Sequence, residues 1–189
     1  SFYWTVATML AVGYGDITPC NDIERAFAAL VMVVGVLTYS YIVAKMTEAL
    51  IVNGKPLKKV LEIGTGCGYQ TLILSKFAEQ VYTIERIQAL LSRARERFYS
   101  LKCRNIKAMN SDGNLGWPEH APYDGILVTA APIGVPTQLI EQLSVNGRMV
   151  IPVGSAGSQK LLLLTKNEDG VSEKYLDAVS FVPMLGGIN

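Results

Sequence analysis

From residue 57 onward, the chain alternates short apolar runs with stretches whose apolar side chains recur every three or four positions. The short runs predict strands, and the longer period predicts amphipathic helices. The predicted strands are 57–63, 81–84, 106–109, 123–128, 148–153, 161–165 and 175–182. The predicted helices are 69–77, 87–101 and 136–143. Because strands and helices alternate, we expect an α/β domain with a mainly parallel sheet and helices on both faces.

The first fifty residues have a different pattern. Residues 26–44 carry no charged side chain, and Arg25 and Lys45 flank this apolar run. A membrane-spanning helix needs about 20 apolar residues, so we predict a candidate transmembrane helix at 24–45. The alternative is a buried core helix, which the polar patch at 38–41 leaves open. The whole chain is 50% hydrophobic and 17% charged, and the shortage of charge comes largely from this segment.

A glycine-containing motif precedes this apolar run. Val12-Gly13-Tyr14-Gly15-Asp16 follows the aromatic-rich stretch 1–7, and with the apolar helix it resembles the pore loop and inner helix of potassium channels. In such a filter, glycines let successive carbonyl oxygens point the same way, and a ring of them from four chains replaces the hydration shell of the ion. Ala11 stands where that family usually has threonine. The resemblance implies a membrane location and a tetramer. No outer helix precedes Ser1, so we interpret the segment as a piece of a pore.

A second glycine motif lies at the end of the first predicted strand. Gly64, Gly66 and Gly68 separate this strand from a predicted helix, and Glu85 ends the next strand. Glycines permit positive φ and close approach of a ligand. This layout is typical of a βαβ unit whose acid, about 20 residues on, holds the ribose hydroxyls of a nucleoside-type cofactor. The alternative is a structural turn, with Glu85 as a solvated strand end.

Charge and cysteine content narrow the classes of function. Seventeen basic and sixteen acidic residues give a net charge of +1, which does not indicate a nucleic-acid partner. Cys20, Cys67 and Cys103 are odd in number and lack C-x-x-C spacing, so we expect neither a disulfide framework nor a zinc site. No secretory signal peptide is recognised. We predict a cytoplasmic location, with anchoring to a membrane through the N-terminal segment as the alternative.

Several sequence blocks occur in the order found in protein-L-isoaspartate O-methyltransferases. The blocks are VLEIGTGCGYQ at 60–70, IER at 84–86, DG at 112–113, GWPE at 116–119, YDGILVTAA at 123–131 and FVP at 181–183. From about residue 41 to its end, the chain closely resembles this family. The resemblance implies a Rossmann-like S-adenosylmethionine-dependent methyltransferase fold whose last strand runs antiparallel. We expect this domain at 46–189, truncated at its N-terminus and preceded at 1–45 by the pore-helix, filter and hydrophobic-helix segment.

The resemblance also implies a set of cofactor-binding residues. They are Glu62, Gly64, Thr65, Gly66, Gly68, Glu85, Arg86, Asp112 and Gly113. Glu62 and the glycine loop would hold the methionine part of S-adenosyl-L-methionine. Glu85, with Arg86 beside it, would bind the ribose, and the Asp112-Gly113 pair would contact the adenine. A plain dinucleotide site is a rival interpretation. Asp112 as a mere turn former is another, because Asp-Gly is a common turn pair.

The substrate side offers fewer candidates. Counting back from Val43 places the loop serine of the family at Thr38, the one catalytic candidate. The sequence shows no Ser/His/Asp or Cys/His set, and we expect its single histidine, His120, in a surface loop. An ionised carboxylate is already a nucleophile and a sulfonium cofactor is already activated, so positioning and desolvation suffice. No metal-ligand cluster is found in the sequence.

Three hypotheses of function result. The first is methyl transfer to the carboxylate of L-isoaspartyl residues in damaged proteins, a repair activity impaired by the replaced N-terminal lobe. Its partners would be isoaspartyl-containing peptides or proteins. The second is a potassium-channel pore subunit with a methyltransferase-like cytoplasmic domain. The third is a chimeric or artefactual fusion, which a junction near 38–41 favours because it cuts through the loop motif of the family.

Overall fold

The computed structural model describes residues 19–51 and 56–189, apart from the side chain of Tyr39. The chain divides into two compact units, residues 1–45 and residues 46–189. The predicted ion filter (Val12, Gly13, Tyr14, Gly15 and Asp16) lies outside the described residues. The same is true of most of the turn cluster at 53–56.

One long helix, α1 (Asp22–Leu50), begins the described chain. Its first turn is capped, because Asn21 Oδ1 accepts a hydrogen bond from the Glu24 backbone N–H at 2.8 Å. The predicted membrane span of 24–45 lies within this helix, which continues beyond it at both ends. Among the described residues, α1 is the one helix long and apolar enough to cross a membrane, a criterion that core helices of soluble proteins also meet.

The second unit is built on a seven-stranded sheet. Its strands are β1 (Leu57–Ile63), β2 (Ala78–Glu85), β3 (Ile106–Asn110), β4 (Tyr123–Val128), β5 (Leu143–Val153), β6 (Gln159–Asn167) and β7 (Gly170–Val179). Its helices are α2 (Tyr69–Leu74), α3 (Gln88–Ser100) and α4 (Thr137–Glu141), with two 3₁₀ turns at Gly113–Leu115 and Pro118–His120. The strands lie in the order β3-β2-β1-β4-β5-β6-β7. This is the α/β architecture that the alternating pattern predicts.

The direction of the last two strands refines the prediction. Strands β1 to β5 pair in parallel, β6 is antiparallel to β5, and β7 is antiparallel to β6. The strand that opposes the parallel strands is therefore β6, whereas the final strand, β7, runs with them. Short connections at 154–158 and 168–169 cause this, because a connection of a few residues joins only antiparallel neighbours.

Some element bounds differ from the predicted ones for a physical reason. The predicted helix at 136–143 is α4 followed at once by β5, which begins at Leu143 and not at residue 148. Leu139 and Leu143 are both buried, and a spacing of four apolar positions is the sign of a helix face. Here, however, Leu139 belongs to α4 and Leu143 begins β5. The apolar spacing alone does not show where the helix ends and the strand begins.

The sheet buries apolar side chains on both faces because successive strand residues point to opposite sides. On β1, Leu61 and Ile63 join one core cluster, which also contains Leu139 of α4. Val60 joins the other, which contains Leu74 of α2 and the last turn of α1. Each fully buried Leu or Val contributes about 1.5–3 kcal/mol. Helices thus cover both faces, as predicted.

The carboxyl ends of the parallel strands bring the predicted site residues to one edge of the sheet. Strand β1 lies between β2 and β4, so the chain continues to one side from β1 to β3 and to the other side from β4 onward. Such a reversal opens a crevice at the carboxyl ends of the strands, where α/β proteins bind ligands. The glycine loop follows β1, Glu85 ends β2 and Asp112 follows β3.

Candidate cofactor and active site

The glycine loop after β1 has a left-handed backbone at three positions. Gly64, Gly66 and Gly68 have φ values of 97°, 53° and 82°. A Cβ at Gly64 would overlap Thr129 Oγ1, and a Cβ at Gly68 would lie 2.7 Å from the Phe98 ring. A Cβ at Gly66 would meet nothing within 4 Å. The outer two glycines are therefore required by protein packing, while the middle one borders open space.

We expect Gly64→Ala to destabilise the protein by about 2–4 kcal/mol, because it combines a strained φ with an overlap at Thr129. The Thr129 hydroxyl cannot move freely, since it donates to the carbonyls of Ile63 and Gly64 at 3.0 and 2.9 Å. Urea unfolding measures the change. Gly66→Ala is the matched control and should cost only about 1 kcal/mol, since its φ suits a left-handed residue. Equal losses in the two variants would contradict this account of the loop.

Glu85 is buried at the end of β2, with 5% of its surface exposed. Its Oε2 accepts a hydrogen bond from Gly66 N–H at 2.8 Å, and its Oε1 accepts one from Ile87 N–H at 3.0 Å. The interpretation of Glu85 as a solvated strand end is therefore wrong. A carboxylate offers about four acceptor sites, so each oxygen can accept a further bond. The same side chain that fixes the loop can thus bind a diol.

Glu62 is fully buried beneath the loop. Its Oε2 accepts hydrogen bonds from the Thr83 hydroxyl at 2.6 Å and from the Thr71 hydroxyl. Thr65 and Thr83 share a further hydroxyl–hydroxyl bond of 2.6 Å. Burial raises the pKa of Glu62 to about 7 against the opposing effect of the Thr71 and Thr83 hydrogen bonds, with a small further rise from the nearby Glu85 charge. The loop is thereby tied to β1, β2 and α2.

Thr83 and Thr71 were not among the predicted site residues. Thr83 lies directly opposite Glu62 in the parallel register of β1 and β2, so the two side chains share one face of the sheet. Threonine is common in strands for its shape alone. Only the register of the two strands, which the sequence did not supply, distinguishes this threonine from an ordinary one.

Asp112 follows β3 and caps the short turn Gly113–Leu115. Its Oδ1 accepts from the backbone and side-chain N–H groups of Asn114, and its Oδ2 accepts from Gly187 N–H at 2.7 Å. Its partial burial would raise the pKa of this carboxyl, but these hydrogen bonds and the charge of Arg86 lower it overall. The turn-forming role is therefore present. Gly113 is needed for packing, because a Cβ there would overlap Ile63.

Arg86 also contacts the C-terminal segment. Its Nε donates to Gly187 O at 3.4 Å, and its backbone carbonyl accepts from Asn189 N–H at 2.8 Å. Residues 187–189 therefore lie against both Arg86 and Asp112. This segment belongs to the border of the candidate site, which the sequence analysis did not predict.

His120 is not the simple surface-loop residue that we predicted. It lies in the turn Pro118–His120 and is half-buried. Its ring stacks on Tyr82 with centroids 4.4 Å apart, and the Trp117 ring is 5.0 Å away. The Tyr123 hydroxyl donates to Trp117 O at 2.6 Å and closes this aromatic cluster. His120 thus has a packing role.

Thr38 lies in α1, within the unit of residues 1–45, as the predicted helix at 24–45 implies, although the family residue aligned with it is a loop serine. Its hydroxyl is exposed and donates to Val34 O at 2.7 Å. Such a bond to the preceding turn is the usual local partner of a helical threonine. The described hydrogen bond of the Thr38 hydroxyl therefore lies within its own helix.

Comparisons with known proteins agree with this architecture. The family model described as protein-L-isoaspartate(D-aspartate) O-methyltransferase matches residues 6–189. The chain is 51% identical over 167 residues to protein-L-isoaspartate O-methyltransferase 1 of Nitrosococcus oceani, covering 86% of this chain and 78% of the relative. It is 48% identical over 168 residues to the enzyme of the same name from Hahella chejuensis, covering 87% and 79%.

Solved structures of similar proteins share the fold. One titled protein-L-isoaspartate O-methyltransferase has a TM-score of 0.70 at 26% identity, covering 78% of this chain and 47% of that one, about half its length. A second, a Plasmodium falciparum protein of the same putative family in complex with S-adenosyl-L-homocysteine, has a TM-score of 0.63 at 24% identity, covering 76% and 71%. At this identity the second likeness supports the fold alone.

The family match begins much earlier than the sequence analysis predicted. It starts at residue 6, whereas the resemblance was expected from about residue 41. Most of the segment assigned to a channel pore therefore lies within the matched region, and none of these comparisons indicates a channel. The family match over residues 6–189 and the identity over 78% and 79% of these two relatives lead to one conclusion. The chain belongs to the protein-L-isoaspartate (D-aspartate) O-methyltransferase family.

Proposed function

We propose that this protein transfers the methyl group of S-adenosyl-L-methionine to the carboxylate of L-isoaspartyl residues in damaged proteins. Its partners are then isoaspartyl-containing peptides or proteins. The observation that carries the proposal is the loop Gly64–Gly68 fastened by the Glu85 carboxylate at the carboxyl end of β1, in a chain with the sequence of this family.

The residues present fit S-adenosyl-L-methionine. The two ribose hydroxyls are donors, and the Glu85 carboxylate keeps acceptor capacity on both oxygens. The open space beside Gly66 leaves room for a ligand against the backbone. A dinucleotide would add a pyrophosphate, whose oxygens only accept hydrogen bonds and cannot serve the buried Oε1 of Glu62, which has no partner among the described residues. The donor and acceptor set thus favours the sulfonium cofactor over the dinucleotide.

In this proposal Glu62, Thr65 and the three glycines of the loop would hold the methionine part of the cofactor. Glu85 would bind the ribose, with Arg86 beside it. Asp112 and Gly113 would contact the adenine, and Asn114 and Gly187 orient the Asp112 carboxylate.

The chemistry asks little of the side chains. S-adenosyl-L-methionine, when bound, supplies a methyl group already activated by the sulfonium. An isoaspartyl carboxylate is ionised at neutral pH, so its oxygen is a nucleophile toward this methyl group without help from a base. The protein then has to hold the cofactor, exclude water and align the incoming carboxylate. Thr38 is kept as a proposed substrate contact, which requires its hydroxyl to leave Val34 O.

We expect methyl transfer to a peptide that contains one isoaspartyl residue and none to the same peptide with a normal aspartyl residue. The isoaspartyl linkage leaves a free α-carboxylate in a backbone of altered length, which a site for this substrate discriminates. Transfer of radiolabelled methyl groups measures it. Thr38→Val should raise KM for the peptide, with S-adenosyl-L-homocysteine affinity unchanged. Equal labelling of both peptides would exclude the isoaspartyl specificity.

The cytoplasm is the proposed compartment. Cys67 and Cys103 are free thiols, which is compatible with reducing conditions. The channel hypothesis, with its tetramer and its membrane anchoring through 24–45, gains no support from the comparisons, which match residues 6–189 to an enzyme family. The fusion hypothesis gains none either.

A further inference from the structure

Two buried polar atoms lack any hydrogen-bond partner in the described part of the chain. They are Oε1 of Glu62 and Nε2 of Gln70. Glu62 is fully buried and Gln70 is 4% exposed. A buried donor or acceptor without a partner costs about 1–3 kcal/mol, so such atoms are rare unless something else binds them.

Both atoms belong to the same side of the sheet. Glu62 follows Val60 by two residues on β1, so their side chains share a face. Gln70 precedes Leu74 by four residues on α2, so these two also share a face. Val60 and Leu74 pack in one core cluster. Glu62 and Gln70 therefore flank the glycine loop from its two ends on one face.

A direct link confirms the proximity of the two segments. Thr71, which is next to Gln70, donates its hydroxyl to Glu62 Oε2. That oxygen also accepts a hydrogen bond from Thr83. Both bonds of the carboxylate are therefore made by Oε2, and Oε1 has no partner in the described part of the chain. The glycine loop with its open face lies between the two residues.

The two unpartnered atoms differ in character. A carboxylate oxygen accepts hydrogen bonds, whereas an amide Nε2 donates them. An α-amino acid carries an ammonium group, which donates, and a carboxylate, which accepts. One acceptor and one donor at the two ends of a loop therefore complement the amino-acid end of the cofactor, whose adenosine end is already assigned in the proposed function to Glu85 and Asp112.

We infer that Gln70 is a cofactor-binding residue whose side-chain amide donates to the carboxylate at the amino-acid end of S-adenosyl-L-methionine, while Glu62 accepts from the ammonium. This inference rests on the proposed function and adds Gln70 to its site. Hydrogen bonds to charged groups are stronger than neutral ones, so a bond to the ligand carboxylate would offset the cost of burying this amide without a protein partner.

Gln70→Leu tests the inference by calorimetric titration with two ligands. S-adenosyl-L-homocysteine has the amino-acid end, and 5′-methylthioadenosine lacks it. We expect the affinity for S-adenosyl-L-homocysteine to fall about tenfold or more, and that for 5′-methylthioadenosine to stay within about twofold. Gln138→Leu, at an exposed position of α4, is the matched control and should change neither affinity.

Thermal unfolding of the ligand-free protein gives a second readout. Because Gln70→Leu replaces an unpartnered amide, the Tm of the variant should equal or exceed that of wild type. If the amide instead formed a stabilising hydrogen bond within the protein, its loss would lower the Tm. If Gln70→Leu does not fold, Gln70→Glu keeps the size and polarity. It should weaken S-adenosyl-L-homocysteine binding even more, because its charge faces the ligand carboxylate.

The possible failures are distinguishable. If wild-type protein binds neither ligand, the proposed function and this inference both fall. If wild-type protein binds both and Gln70→Leu weakens them equally or not at all, the assignment of Gln70 is overturned while the proposed function stands.

Discussion

Glu85→Ala is expected to weaken binding of S-adenosyl-L-homocysteine about 100-fold. Two hydrogen bonds from the ribose hydroxyls to a carboxylate are worth about 1.5 kcal/mol or more each, and about 3 kcal/mol corresponds to roughly 100-fold in affinity. The variant also leaves the N–H groups of Gly66 and Ile87 without their acceptor. The loop then loses its fastening to β2, which adds to the loss.

Calorimetric titration measures this effect, and the same strand provides the control. Glu79 lies on β2 at an exposed position, so Glu79→Ala removes an identical charge from the same element without touching the loop. It should leave the affinity within about twofold of wild type. Comparable affinities of wild type and Glu85→Ala would refute the ribose role of Glu85.

Glu62→Gln is expected to stabilise the protein at pH 8 relative to wild type and to weaken cofactor binding. The folded-state pKa of Glu62 is raised from 4.5 to about 7, chiefly by burial. The folded protein therefore holds a proton that the unfolded chain has released between these pH values. The stability associated with this proton is fully present below pH 4.5 and is lost as the pH rises through about 7.

The size of the effect follows from the two pKa values. At about 1.4 kcal/mol per pKa unit, wild type should lose about 3 kcal/mol across this pH window through Glu62 alone. Glu62→Gln does not titrate, so its stability advantage should grow between pH 5 and pH 8 in urea unfolding. Glu119→Gln, at an exposed position, is the control and should follow wild type. A constant difference at the two pH values would show that Glu62 is not the group responsible.

Cofactor binding should respond in the opposite direction. The neutral amide of Glu62→Gln has no charge to offer a ligand ammonium, so S-adenosyl-L-homocysteine should bind more weakly, most clearly at pH 8. A gain in stability together with a loss of affinity would identify Glu62 as a residue whose buried charge serves the ligand.

The sequence was most informative where the chain leaves little choice. The bounds of β1 and β4 match the prediction, because each strand ends in a run of buried residues that stops at the crevice. The glycine loop was recognisable from the strand before it, the glycine spacing and the acid after it, and the three glycines do adopt positive φ. Both features depend on residues close together in the chain, which is why the sequence alone indicates them.

The parts that the sequence did not reveal depend on distant neighbours. The role of Thr83 exists only because β2 pairs with β1 in a register that places it opposite Glu62. The burial of Gln70 depends on the packing of α2 against the sheet. Thr38 was aligned with a loop serine of the family, and its surroundings form an uninterrupted helix. For Thr83 and Gln70, contacts with residues distant in the sequence determine the role of the side chain, and the local sequence does not.

The glycine loop is fixed at every residue before any ligand arrives. Gly64 N–H donates to Ile84 O at 2.8 Å, Gly68 N–H donates to Thr65 O at 2.8 Å, and Arg97 donates to Cys67 O at 2.7 Å. Ordering one residue costs about 1–2 kcal/mol in backbone entropy. Since folding has already met this cost, the cofactor encounters a preorganised cradle. The backbone of the loop should therefore change little when the cofactor binds.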